Sequence, residues 1–262
     1  MSNSGRESAI TVKSPEEIAV MHKANQIVAG VLSLLESKIR AGLTTHQLDK
    51  WAEEYCRDHG AEPAFKGYRG FPASLCVSVN EQVVHGIPSK RTTIHDGDIV
   101  SVDFGTKYQG FYGDSAVTIP VGTVSRRVRQ LLLVTEEALA RAIEQVKIGN
   151  RVADISRAVQ EHVEEQGFSV VRQFVGHGIG SNLHEPPEIP NYVQKKASPR
   201  LVEGMVVAIE PMVNLGTEKV RVLRDKWTVV TADGKPSAHF EHSVAVTADG
   251  PFVLSSRSKG DN

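Results

Sequence analysis

Cysteine is scarce in this sequence, and the two present, Cys56 and Cys76, show no pairing pattern. Their scarcity excludes a disulfide framework and fits a reducing compartment. An excess of charge of either sign is also missing, since 30 Lys and Arg face 31 Asp and Glu for a formal net charge of -1. That balance argues against a nucleic-acid or membrane-surface binder held by bulk electrostatics. The short basic cluster Arg126-Arg127-Val128-Arg129 reads as a solvated helix start. No apolar run approaches the roughly 20 residues needed to span a bilayer, and the polar first eight residues do not resemble a signal peptide. The expectation is a soluble cytoplasmic protein with one body over residues 9–254 and flexible ends at 1–8 and 255–262.

The chain does contain strong helix and strand signals. Ser14-Pro15-Glu16-Glu17 supplies an N-cap, a proline at the first helical position and early acids, ahead of helical spacing through Ile39. Further helices are expected at about 44–59, 126–146 and 152–166, with Gly60 and Gly167 as stops. Strands are expected at about 73–84, 170–175, 205–213, 220–222, 227–231 and 242–246, besides a hairpin over 100–117. Its turn, placed on Tyr108-Gln109, sets Asp103 directly opposite Asp114. Like charges so placed are destabilising and call for a cation.

An offset of 107 residues maps Gly42 to Gly149, Leu48 to Ile155, Gly60 to Gly167 and the segment ending in Asp103 onto the one ending in Glu210. The chain therefore reads as an α+β protein of two related helix-helix-strand halves, about 14–121 and 122–254. Asp114, followed by Ser-Ala-Val-Thr, finds its match in Glu241, which leaves about 20 extra residues near 215–235 in the second half. Four acids would converge between the halves, where close like charges suppress ionisation unless a strong positive charge is present. His177 and His184 lie among glycines in GHGIGSNLHEPP, and His85 follows an apolar run. Neutral imidazole with carboxylates suits two divalent first-row ions that acidify water.

The ordered segments NEQVVHGIP, VDFGTKYQGFYGD, GHGIGSNLHEPP, AIEPM and FEHSVAVT resemble those of the type I methionine aminopeptidases. The likeness covers about residues 14–254. It implies the pita-bread fold, with a curved antiparallel sheet covered by helices. It also implies metal ligation by Asp103, Asp114, His177, Glu210 and Glu241, with Asp114 and Glu241 bridging two ions (cobalt, manganese, iron or zinc). A metal-bridging hydroxide would attack the first peptide bond, with Glu210 as proton acceptor. His85 would meet the amide nitrogen and His184 the carbonyl oxygen, while Phe65, Tyr68, Phe71, Cys76, Leu183 and Trp227 would hold the methionine side chain. The activity implied is removal of initiator methionine from nascent chains when the second residue is small, by a monomer in transient contact with the ribosome at most. Ser181-Asn182, where many relatives have basic residues, and His239, where many have Gln, depart from the pattern. The short form, with no zinc-finger extension before Ser14, resembles the bacterial enzymes. Two other readings are a proline-specific relative, prolidase or aminopeptidase P, and a non-catalytic pita-bread binding protein.

Overall fold

A computed structural model describes residues 10–195 and 197–257. Helix α1 (Pro15–Lys38) starts at Ser14, whose hydroxyl accepts from the Glu17 amide while the Glu17 carboxylate accepts from the Ser14 amide. This reciprocal cap satisfies two otherwise orphaned donors. By length and composition α1 could cross a membrane, contrary to the sequence reading. In the fold, however, its buried face, including Met21, Val28, Leu32 and Leu35, forms part of the core. Helices α2 (Thr45–Asp58), α3 (Arg126–Ile143) and α4 (Val152–Glu165) fall close to the expected positions, α3 ending one turn early.

Among the described residues, a nine-stranded sheet runs through Glu62–Pro63, Ile99–Tyr108, Phe111–Pro120, Glu241–Thr247, Val206–Ile209, Gly176–Gly178 and Glu185–Ile189. Cys76–Val79 joins Ile99–Tyr108, and Gly250–Val253 joins Glu241–Thr247. All of these pairings are antiparallel. The core between helices and sheet is filled by side chains such as Leu35, Phe104, Leu131 and Ile155.

The 107-residue offset recurs in the backbone pairing. Helices α2 and α4 share it at both ends. The pair Glu62↔Lys107 recurs as Ser169↔Asn214, and the bridge Thr44↔Thr93 as Arg151↔Arg200. The seam between the halves is the pairing of Glu241 with Ala116 and of His242 with Ser115.

Three expectations need correction. First, the hairpin turn is Gln109-Gly110, both at positive φ (48° and 87°), as a two-residue type I′ turn requires. The pair Tyr108↔Phe111 flanks it, so Asp103 lies opposite Ala116 and Asp114 opposite Gly105. The acids are diagonal neighbours on one face instead of direct partners, because the shift is by two residues and side chains alternate with period two. Second, the expected strand over 205–213 is broken at Glu210-Pro211 into Val206–Ile209 and Met212–Asn214, which belong to different sheets. Proline has no N–H for a continuous ladder. Strand 73–84 likewise divides into Cys76–Val79 and Gln82–Val84, and 170–175 shrinks to Ser169–Val170. Third, residues 255–257 were expected to be free. Ser255 is instead fully buried against His242 and Ser243, and Arg257 pairs with Glu36. The other expected flexible ends, 1–8 and 258–262, lie outside the described residues.

Candidate metal centre

Asp103 and Asp114 come from the long hairpin. Asp114 is 4 % exposed, and its amide donates to Asn25 Oδ1 at 3.3 Å. Asn25 is itself held by a bond from Nδ2 to the Met21 carbonyl at 2.9 Å, so α1 fixes this part of the hairpin. Gly113 permits the close approach, since a Cβ there would come within 2.8 Å of the Asn25 nitrogen.

His177 occupies Gly176–Gly178, where a Cβ at either glycine would lie 2.3 Å from a backbone oxygen, that of Ala208 or of Pro186. The flanking glycines are there because backbone closes on both sides of the histidine. Its Nδ1–H donates to the Gly178 carbonyl at 2.9 Å, which leaves the Nε2 lone pair free, 3.7 Å from Glu210 Oε1. Glu210 and Glu241 both stand where the chain passes between sheets, the first at Pro211 and the second just after Phe240. Donor atoms of Asp114, His177 and Glu241 lie within 4.8 Å of one another.

Burial dominates the electrostatics. It raises the Asp103 carboxyl to about 7, and raises Asp114, Glu210 and Glu241 well above the usual carboxylate range, each with a further push from neighbouring acids. Burial also lowers His177 to about 4 and thus keeps its ring neutral. Among the described residues no Lys or Arg forms an ion pair with these four acids. Asp103 Oδ1, Asp114 Oδ1 and Glu241 Oε1 are buried without a hydrogen-bond partner. Unsatisfied carboxyl oxygens grouped with a free imidazole nitrogen fit divalent cations, which would offset a burial cost no side chain here compensates.

The same cavity, about 140 Å³, is lined by these five residues and by His85, His184, Phe65, Tyr68, Phe71, Cys76, Leu183 and Trp227. Every expected site residue is thus brought together. His85 has φ 59° in the left-handed region. It is followed by Gly86, where a Cβ would sit 2.1 Å from the Val77 carbonyl oxygen. The His85 ring meets Phe174 and Trp227 edge-on at 5.6 and 6.2 Å. His184 Nδ1 is 2.8 Å from the Tyr68 hydroxyl. Trp227 meets Phe71 edge-on at 5.1 Å. Trp227 belongs to the segment inserted in the second half, whose strand Val229–Thr231 crosses to pair with Gln82–Val84 of the first half. Burial lowers His85 to about 4 and His184 to about 3.

Two residues of the site were not anticipated. Arg69 also lines the cavity, in a loop where Gly67, Arg69 and Gly70 all have positive φ; nothing in its sequence context marks it. His239 is buried with an unpartnered Nε2 near Glu210 and Glu241. Its position two residues before Glu241 in alternating sequence was the available signal. A larger cavity of about 370 Å³ opens beside the start of α4, lined by Pro186, Pro187, Pro190 and Pro199 among others, away from these groups.

An acid-rich metal-binding pocket at the seam of two half-sheets, with an apolar recess beside it, defines a metal-dependent hydrolase of the pita-bread type. The chain belongs to metallopeptidase family M24, which it matches over residues 19–248, and groups there with the methionine aminopeptidases. It is 51% identical over 245 residues to the methionine aminopeptidase of Clostridium perfringens, covering 94% of this chain and 98% of that protein. Identity to methionine aminopeptidase 1 of Bacillus subtilis is also 51%, with the same coverage. The crystal structure of a methionine aminopeptidase from Thermotoga maritima matches with a TM-score of 0.93 at 46% identity, covering 95% of this chain and 100% of that one. A prolidase from Pyrococcus furiosus matches with a TM-score of 0.78 at 25% identity, covering 66% of its own chain.

Proposed function

We propose that the protein removes N-terminal methionine from nascent polypeptides when the second residue is small, using two divalent cations. The observation that carries this reading is the joining, in one cavity, of unpaired buried carboxylates and a recess lined by aromatic and sulfur-bearing side chains. Asp103, Asp114, His177, Glu210 and Glu241 would hold the cations. Cobalt, manganese, iron or zinc suits this donor set. When bound, the cations acidify water, polarise the scissile carbonyl and anchor the free α-amine.

The chain's own residues do the rest. Glu210 takes up the proton released as water attacks. His85 reaches the amide nitrogen of the departing chain, and His184, steadied by Tyr68, donates towards the developing oxyanion. Phe65, Tyr68, Phe71, Cys76, Leu183 and Trp227 take the flexible thioether. A cavity of about 150 Å³ accommodates a benzene ring in a protein interior, so a site of this size suits one side chain better than a longer stretch of peptide. The body over residues 9–254 acts as one catalytic unit, in the cytoplasm and as a monomer, with at most transient ribosome contact.

The test is hydrolysis of Met-X-Ser peptides, X from Gly to Leu, by metal-free protein reloaded with each cation in turn. Cleavage should fall as X grows, and Asp114→Asn should abolish it together with binding of the second equivalent of metal. Cleavage of Ala-Pro peptides in preference to Met-Ala-Ser would point instead to a proline-specific enzyme. No bound metal together with neither activity would point to a non-catalytic binding protein.

A further inference from the structure

His239 stands in the second half where Asp114 stands in the first. Gly105 pairs with Asp114, its equivalent Met212 pairs with His239, and Ile209↔His242 continues the same register. By backbone pairing, therefore, Glu241 is level with Ala116, two positions from the match to Asp114 read from the sequence. The two-residue step keeps His239 and Glu241 on one face.

The side chain of His239 is 2 % exposed, and its buried Nε2 has no hydrogen-bond partner. That nitrogen lies 3.8 Å from Glu210 Oε2 and 4.0 Å from Glu241 Oε2. Glu210 is bracketed by two imidazoles, with Oε1 towards His177 and Oε2 towards His239. The His239 backbone is anchored: its amide donates to Thr118 Oγ1, and the same hydroxyl donates to its carbonyl, both at 2.8 Å. Ser101 meets that hydroxyl in turn at 2.8 Å. The backbone behind the ring is therefore fixed, and Nε2 faces two of the metal-binding carboxylates. A buried donor left unpaired is costly, and ligating carboxylates are commonly oriented by such donors.

We propose that His239 is a positioning residue of the metal centre, its Nε2–H holding Glu210 and Glu241 in the orientation that binds cations. The inference rests on the two-cation reading above. His239 acts as a donor to the ligands and not as a ligand, its Nε2 lying 3.8 Å and 4.0 Å from carboxylate oxygens of Glu210 and Glu241. Closing its gap to a carboxylate oxygen, from 3.8 Å to the usual hydrogen-bond range of about 2.7–3.2 Å, takes a small carboxylate rotation.

The experiment is calorimetric titration of the metal-free full chain with cobalt(II) chloride, for the parent and for His239→Leu, His239→Asn and His239→Gln. Proton NMR of the cobalt-loaded proteins accompanies it. Leu, which has no donor, and Asn, which is too short, should weaken cobalt binding about 10- to 100-fold. Gln, which carries an N–H group at similar reach, should recover most of the affinity. The solvent-exchangeable imidazole N–H signals with the large contact shift of a cobalt-bound ring should number one, from His177, in the parent and in every variant. If Leu does not fold, Asn against Gln carries the same comparison. Unchanged affinity in both Leu and Asn overturns the proposal. So does a second contact-shifted imidazole signal in the parent that is lost on substitution, which would make His239 a ligand. A parent that fails to bind two equivalents of cobalt would instead overturn the two-cation reading.

Discussion

Ser243 donates its hydroxyl to the backbone carbonyl of Asp114 at 2.8 Å, across the seam between the two halves of the chain. Ser115 returns the bond to the carbonyl of Glu241. Each half thus fixes the backbone of a carboxylate residue belonging to the other. Ser243→Ala leaves the Asp114 carbonyl buried and short of a partner, which should cost about 1–3 kcal/mol. Urea denaturation of the metal-free protein measures it, and an unchanged midpoint would mean that the seam does not depend on this bond.

Lys13 and Glu185 form a buried ion pair at 2.7 Å, with side chains 5% and 4% exposed. Burial would raise the Glu185 carboxyl, but hydrogen bonds from Lys13, Thr11 and the Asn182 amide outweigh it and hold the group below its ordinary value. The pair ties the N-terminal strap to the loop that carries Leu183 and His184. Lys13→Met strands a buried carboxylate and should destabilise the fold by about 3–5 kcal/mol. The loosened loop should also raise KM for Met-Ala-Ser. Chemical denaturation and steady-state kinetics report the two effects separately; parent-like values in both would show the strap to be dispensable.

The metal-free protein should lose stability as pH rises above 6.5. Asp103, Asp114, Glu210 and Glu241 titrate higher in the folded chain than unfolded, so folding takes up protons and these groups disfavour the fold as pH climbs. His85, His177, His184 and His239 titrate near 3 to 4, below the ordinary 6.5, and their contribution rises with pH over that interval. The two sets oppose each other below 6.5. Above it the unfolded histidines lose their remaining charge within about one pH unit, and beyond that only the acids act, Asp103 passing through about 7. Thermal melts in chelator should therefore be lower at pH 8 than at pH 6.5. Cobalt(II) at 100 times its Kd should add about 2.7 kcal/mol for each site it fills. A chelated protein that melts higher at pH 8 would contradict the burial of these acids.

Both thiols should be inert in the native protein. Burial pushes Cys56 up to about 12, and burial with the adjacent Asp103 and Asp114 pushes Cys76 well above the ordinary thiol range. Little thiolate is available in either case. A disulfide-exchange reagent at pH 8 should titrate two thiols in denaturant and none without it. Rapid labelling of Cys76 in the folded state would show that the recess opens more widely than the structure indicates.

Much of this architecture was legible before any coordinates. The cap at Ser14, the stops at Gly60 and Gly167 and the 107-residue offset are local chemistry repeated along the chain, and they reappear in the helices and ladders. All thirteen expected site residues line one cavity. Less legible were the features set by pairing across distance. The hairpin register differs from the sequence expectation by one turn position, because Gln109, a non-glycine residue at positive φ, gives no signal. The break at Glu210 was missed although Pro211 was in view, because apolar residues continue on both sides of it. His239 was noticed only as a departure from a pattern, since a lone histidine shows neither its burial nor the direction of its Nε2.

The sequence alone determined the kinds of donor atoms and their order along the chain, because side-chain chemistry and local periodicity belong to each residue and its near neighbours. Only the tertiary structure decided which atoms meet. Whether His177 can settle between Ala208 and Pro186, or His239 face Glu210, depends on backbones from distant segments closing to within a few ångströms, and that fit is a property of the packed whole.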